Sequence, residues 1–134
     1  MFLVVLWMVF ILIETCTNDV HAFIHEFSVS FTFQPKPVWQ DFTLFYPIEQ
    51  ISEFEVVAHF LLFFGLTLLL ADINVRLRTT ILISVSYAIL TEFLQMYFNR
   101  GAELYDIMAN IMGIMVAVCI IGVYRVVSRH GEVT

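Results

Sequence analysis

Residues 79–98, TTILISVSYAILTEFLQMYF, and residues 104–127, LYDIMANIMGIMVAVCIIGVYRVV, decide how this chain folds. Each stretch is long enough to cross a membrane as a helix, since a span needs about 20 predominantly apolar residues. Each also carries polar side chains, namely Glu92 and Gln95 in the first and Asp106 and Asn110 in the second. Because an Asp, Lys or Arg at a span centre costs about 2.5 to 3.5 kcal/mol, such carboxylates predict a functional site.

The composition is typical of an integral membrane protein. Of the 134 residues, 60% are hydrophobic and 13% are charged, whereas a typical soluble domain has about 45 to 50% apolar residues. The sequence lacks the alternating pattern of barrel strands, so we predict an all-α, polytopic transmembrane helical bundle, in which helices satisfy their own backbone hydrogen bonds. The formal net charge of −6 argues against a nucleic-acid partner, which requires a basic surface.

Four apolar stretches predict about four spans within a single domain, residues 1–134. The spans cover about residues 1–13, 54–71, 79–98 and 104–127. The first is short, and it fits either a retained span, which we favour, or a signal peptide cleaved before Phe23. Membrane lipids are therefore the expected surroundings of most of the chain.

An external loop, about residues 14–52, is predicted to follow the first span. Glu14 should lie at the membrane interface, and residues 27–33 alternate in a way that suits a short hairpin or a chain at headgroup level. The aromatic residues that we predict to be interfacial anchors are Trp39, Phe42, Phe45 and Tyr46.

Basic residues predict the orientation. Arg76 and Arg78 lie between the second and third long apolar stretches, and Arg125 and Arg129 lie at the end of the last one. Short cytoplasmic loops are enriched in Lys and Arg, so this end of the bundle and both termini are expected to be cytoplasmic.

The polar side chains of three spans fall at one depth. With a rise of about 1.5 Å per residue, His59, Glu92, Asp106 and Asn110 lie roughly 3 to 9 Å below the outer boundary. Residues three or four apart share a helix face, so Glu92 with Gln95 and Asp106 with Asn110 should face inward, toward His59. We therefore predict an outward-opening polar pocket.

This residue set suits proton transfer. The candidate catalytic residues are His59, Glu92 and Asp106, and the candidate ligand-binding residues are Gln95, Arg100 and Asn110. A histidine and a carboxylate can act as general acid and base, and a guanidinium binds phosphate or carboxylate in bidentate fashion. A metal site from the three catalytic candidates is conceivable, but no zinc-protease-like motif supports it, so we expect no metal and no cofactor.

A structural role is the alternative for each residue. Gln95 and Asn110 could serve only to hold helices together, and Asp106 fits the first turn of a helix, where the macrodipole favours negative charge. Arg100 could be an interfacial cation or a partner of Glu103.

The ordered pattern of these residues resembles the VanZ-like family of bacterial membrane proteins. The pattern consists of His59, then Glu92 and Gln95 as E-x-x-Q, then Arg100, then Asp106, Asn110 and Gly113 as D-x-x-x-N-x-x-G. The similarity covers about residues 53–118. Many relatives have an acidic and a basic residue just before the histidine, whereas here Glu55 is followed by Val56.

The resemblance implies a multi-pass protein of the bacterial cytoplasmic membrane with a role in the cell envelope. The name-giving member is associated with resistance to the glycopeptide antibiotic teicoplanin. One hypothesis is an enzyme or headgroup-binding protein that uses the polar pocket on an envelope lipid or lipid-linked precursor, with His59 and Glu92 as acid or base and Arg100 as anion clamp. The other is a non-catalytic accessory protein, in which the polar residues lock three helices together and the external loop meets a partner.

Overall fold

The computed structural model describes residues 1–37, 52–73, 75–101 and 103–131. The predicted all-α fold is confirmed for this part of the chain. The helices are α1 (Phe2–Cys16), α2 (Val20–Glu26), α3 (Glu53–Asp72), α4 (Leu77–Gln95) and α5 (Leu104–Gly131). α3, α4 and α5 are long and apolar enough to cross a membrane, which fits the predicted transmembrane bundle.

α1 is a shorter apolar helix. Its 15 residues correspond to roughly 22 Å at a rise of about 1.5 Å per residue, and a hydrocarbon core is about 30 Å thick. The helix continues past Ile13, because the Thr15 hydroxyl donates a hydrogen bond to the Ile11 carbonyl and the Thr17 N–H donates to the Ile13 carbonyl. Glu14 is buried within the bundle, with only 5% of its surface exposed, and its predicted depth at the membrane interface stays a prediction.

α3 and α5 run parallel and pack closely, and α4 runs antiparallel to both. The close approach depends on Gly113 of α5. A Cβ atom at this position would overlap the Phe60 carbonyl oxygen and would lie 3.0 Å from the Phe64 nitrogen, both in the α3 backbone. A glycine therefore allows the two backbones to touch, as small residues commonly do between membrane helices.

The apolar core lies between α1, α3 and the two following helices. Phe63, Leu66 and Ile11 are fully buried in it. On the outer faces, large apolar side chains such as Leu82 and Val123 are 66% and 65% exposed, as expected where a helix faces hydrocarbon rather than water.

α1 is attached to the bundle through two side-chain hydrogen bonds to main-chain carbonyls. The Trp7 indole N–H donates to the Leu62 carbonyl over 2.9 Å. The Tyr87 hydroxyl of α4 donates to the Met8 carbonyl over 2.6 Å. Because both bonds lie midway along α1, they fix the depth at which α1 sits against α3 and α4.

Tyr87→Phe is expected to lower the free energy of unfolding by about 0.6 kcal/mol, the average for a side-chain hydrogen bond between membrane helices. Thermal unfolding of the purified protein in detergent measures this loss. Tyr124→Phe is the matched control, because Tyr124 is 71% exposed on α5. Equal stability of the two variants would contradict the attachment of α1 through Tyr87.

α4 ends at Gln95, whereas the predicted span continues to Phe98. The backbone turns here because Asn99 adopts the left-handed conformation, with φ of 56°, and the Arg100 N–H donates to the Gln95 carbonyl over 3.1 Å. A left-handed residue followed by such a bond is the Schellman type of helix ending, which Asn tolerates. This turn places Arg100 beside the ends of the other helices.

The predicted external loop contains α2 and an irregular segment. Residues 27–34 form no strand ladder with one another. Instead, the rings of Phe31 and Phe33 pack against Phe98, each with a centroid distance of 5.8 Å, and the Gln34 N–H donates to the Tyr97 carbonyl. The segment thus covers the end of α4. The predicted anchors Trp39, Phe42, Phe45 and Tyr46 lie outside the described residues.

Candidate functional site

Three helices bring the candidate catalytic residues together at one end of the bundle. His59 of α3, Glu92 of α4 and Asp106 of α5 are 1%, 3% and 4% exposed. His59 Nδ1 lies 3.7 Å from Glu92 Oε1, and His59 Nε2 lies 3.6 Å from Asp106 Oδ2. One nitrogen or oxygen atom of each residue lies within 4.8 Å of the other two. Together with Asn110, we call these residues the polar cluster.

Asn110 links two members of the cluster. Its Nδ2 group donates to Glu92 Oε1 over 3.3 Å, and its Oδ1 lies 3.1 Å from His59 Nδ1. Because an amide oxygen only accepts hydrogen bonds, His59 carries a proton on Nδ1 in this arrangement. The other ring nitrogen, Nε2, faces Asp106 Oδ2 at 3.6 Å; a neutral imidazole is an acceptor at this nitrogen, and an imidazolium is a donor.

The side chain of Gln95 is buried and has no hydrogen-bond partner among the described residues. It lies on the same face of α4 as Glu92 and is 0% exposed. Neither its Oε1 nor its Nε2 has a hydrogen-bond partner in the described part of the chain, and the same holds for Glu92 Oε2. An unsatisfied buried polar group costs about 1 to 3 kcal/mol. Such groups call for a ligand, an ion or ordered water.

Arg100 joins three segments at the edge of the cluster. Its Nη2 lies 3.1 Å from Glu55 Oε1, and its Nη1 donates to the Thr17 carbonyl over 3.2 Å. Glu55 stands in the first turn of α3, where the Ser52 hydroxyl accepts the hydrogen bond of its N–H. The guanidinium predicted as an anion clamp is therefore already paired with a carboxylate, and that carboxylate belongs to Glu55.

A polar cleft of about 370 Å³ opens above the cluster. We call it the cleft. The charged residues that line it are Asp19, Glu55, Arg100, Glu103 and Asp106. Asp106 belongs to both the cleft and the cluster, so the two are continuous. Since carboxylates outnumber the single guanidinium in this lining, the cleft favours a ligand that carries positive charge.

The sequence analysis missed Glu14 as a member of this region. Its carboxylate is buried, its Oε2 has no partner among the described residues, and its charged neighbours are Arg100 and Glu55. The sequence offered little signal, because Glu14 begins the polar stretch ETCTND, residues 14–19. The predicted span ended at Ile13, so Glu14 was assigned to the membrane interface and was not grouped with Glu92.

Comparison with known proteins places the chain in a family. The family described as VanZ/LLP1 matches residues 1–125, which adds the N-terminal third to the region of predicted resemblance. The chain is 32% identical over 114 residues to "Uncharacterized membrane protein YwnJ" of Bacillus subtilis (strain 168), covering 81% of this chain and 79% of the relative. No solved structure matches it. The predicted resemblance is therefore confirmed, and the chain is a membrane protein of the VanZ/LLP1 family.

Proposed function

We propose that this protein binds the headgroup of an envelope lipid, or of a lipid-linked precursor, in the cleft and acts on it through the polar cluster. The observation that supports this most is the position of Asp106, which lines the cleft and lies 3.6 Å from His59. A headgroup that enters the cleft comes within reach of the cluster, while its acyl chains stay in hydrocarbon.

The roles follow from the chemistry of each group. His59 and Glu92 exchange protons with the headgroup as general acid and base, and Asp106 and Asn110 position them. Arg100 binds a phosphate oxygen, for which it must share its guanidinium with Glu55. The excess of carboxylates in the cleft favours a headgroup that carries an ammonium group as well as a phosphate.

An apolar groove supports a lipid rather than a water-soluble substrate. The groove, of about 260 Å³, lies between α1, α2 and α3 and has the buried Glu14 in its wall. Its apolar lining includes Phe10, Phe54 and Leu61. An acyl chain in this groove would hold the attached headgroup next to Arg100, whose guanidinium is an electrostatic neighbour of the Glu14 carboxyl group.

The orientation belongs to the same proposal. The cleft lies at the opposite end of the bundle from Arg76 and Arg125, because α3 and α5 each begin at the cleft and α4 ends there. By the positive-inside rule, the cleft opens outward and both termini are cytoplasmic. In a bacterial cytoplasmic membrane, a cleft on the outer side can reach envelope lipids. This is also the side on which teicoplanin acts, as a role in teicoplanin resistance requires.

The second candidate is a non-catalytic accessory protein. It is favoured by Asn110, which connects α5 to α3 and α4 as a purely structural amide would. It is disfavoured by the Gln95 side chain and Glu92 Oε2, because a purely structural role gains nothing from buried polar atoms that have no partner among the described residues.

The test compares lipid extracts of a deletion strain that expresses the wild type, His59→Ala or Glu92→Gln. We expect the wild type to change the abundance of one headgroup class and both variants to lose this activity by about 10²- to 10⁴-fold, the usual contribution of a general acid or base. Mass spectrometry of the lipids and teicoplanin susceptibility are the measurements.

Glu26→Gln is the matched control, because Glu26 is exposed at the end of α2. Immunoblots of membranes show whether each variant is present at the wild-type level. Cluster variants that are present at this level and still change the lipids fully would overturn the catalytic proposal. Two results together would favour the accessory protein. The cluster variants would reduce only the amount of folded protein, and replacement of the external loop would abolish function.

A further inference from the structure

The polar cluster brings together the donor atoms of a metal site. It presents one imidazole and two carboxylates, a set that suits Zn²⁺ or Mn²⁺. Ligands held about 2.0 to 2.2 Å from a tetrahedral zinc ion lie roughly 3.4 Å from one another. His59 Nε2 and Asp106 Oδ2 are 3.6 Å apart, close to this value, and one nitrogen or oxygen atom of each of the three residues lies within 4.8 Å of the others, so a small side-chain movement would bring Glu92 into the same coordination sphere.

The hydrogen bonds leave the right atoms available. Asn110 accepts the proton of His59 Nδ1, as the second partner of a metal-bound histidine usually does. His59 Nε2 faces the Asp106 carboxylate at 3.6 Å, so a cation between them would contact both groups. On Glu92, Oε1 accepts from Asn110, whereas Oε2 is buried and has no partner among the described residues.

The charge of the cluster also needs compensation. Glu92 and Asp106 are two buried carboxylates within membrane-spanning helices, where an uncompensated charge is costly. The guanidinium of Arg100 is paired with Glu55. One divalent cation would balance both carboxylates.

We propose that His59, Glu92 and Asp106 bind one divalent transition-metal ion, Zn²⁺ or Mn²⁺, and that Asn110 orients the histidine. The three ligands belong to three different helices, which explains why the sequence contains no metal motif. With three protein ligands, one position stays open for water or a ligand oxygen. That this oxygen belongs to a lipid headgroup in the cleft rests on the proposed function, whereas metal binding does not.

The test uses the full chain, purified in detergent and treated with a chelator. Calorimetric titration with Zn²⁺ and with Mn²⁺, followed by elemental mass spectrometry after dialysis, is expected to show one ion per chain. His59→Ala, Glu92→Gln and Asp106→Asn should abolish binding, and Asn110→Ala should weaken it by about 10- to 100-fold. The Gln and Asn variants keep the side-chain shape, and circular dichroism confirms that they are folded.

Asp19→Asn is the matched control, since it removes a carboxylate that lines the cleft outside the cluster and keeps an oxygen to accept the Ala22 N–H at the start of α2. It should bind the ion as the wild type does. The metal site is overturned if the wild type binds no ion, or if Asp19→Asn weakens ion binding as much as the cluster variants do. A metal-free protein whose cluster variants lose lipid activity would refute only the metal site, whereas a metal-bound protein without lipid activity would refute only the proposed function.

Discussion

Gly113→Ala is expected to separate α3 from α5. Most of the folded protein in the membrane should therefore be lost. The added Cβ would overlap the Phe60 carbonyl oxygen and crowd the Phe64 nitrogen. Both atoms belong to the backbone, so relief requires movement of a whole helix. Overpacking of a well-packed interior typically costs about 1 to 3 kcal/mol, and we expect the upper end of this range here because no side chain can rotate away.

Gly122→Ala is the control, because it makes the same change on the same helix. A Cβ at Gly122 meets no heavy atom within 4 Å. Alanine is favoured over glycine by about 1 kcal/mol in a helix interior, so this variant should be as stable as the wild type or more stable. Size-exclusion profiles and thermal unfolding in detergent measure both. A Gly113→Ala protein as stable as Gly122→Ala would contradict the observed contact of α3 with α5.

Asn110→Ala is expected to lower the free energy of unfolding by about 1 to 6 kcal/mol. The lower value corresponds to two interhelical hydrogen bonds at the membrane average of about 0.6 kcal/mol each. The higher value corresponds to two stranded buried groups at about 1 to 3 kcal/mol each. The stranded groups would be His59 Nδ1 and Glu92 Oε1. Thermal unfolding of the purified variant is the measurement.

Ser84→Ala provides the comparison for Asn110→Ala. Ser84 is also fully buried, but it makes a single side-chain bond to Thr67, and Thr67 keeps its bond to the Phe63 carbonyl. We expect a smaller loss of stability than for Asn110→Ala. If Ser84→Ala is the more damaging substitution, the polar cluster is not the main polar contact between the helices.

The helices and the shared level of the polar residues could be predicted from the sequence because both depend on local periodicity. A run of apolar residues about 20 long indicates a span wherever it occurs. The spacing of Glu92 from Gln95, and of Asp106 from Asn110, defines a helix face without any tertiary information. His59 could be grouped with these residues because its depth follows from counting residues along its own helix.

The pairing of side chains from distant segments could not be predicted in this way. Glu55 binds Arg100 only because Asn99 turns the chain back after α4, and a single left-handed residue leaves no periodic signal. Glu14 lies inside α1 because this helix continues to Cys16, and the Thr15 hydroxyl satisfies its own polarity by donating to the Ile11 carbonyl. In both cases the point at which a helix ends determined where a charged side chain lies.

The order in which the polar cluster is completed matters for the biogenesis of the protein. A chain emerges from the ribosome with its N-terminus first, so α3 and α4 are synthesised before Asn110 of α5. Until α5 inserts, His59 and Glu92 lack the amide that binds both of them. Insertion of α5 therefore stabilises the two helices that precede it, because a polar group without its partner is costly in the bilayer.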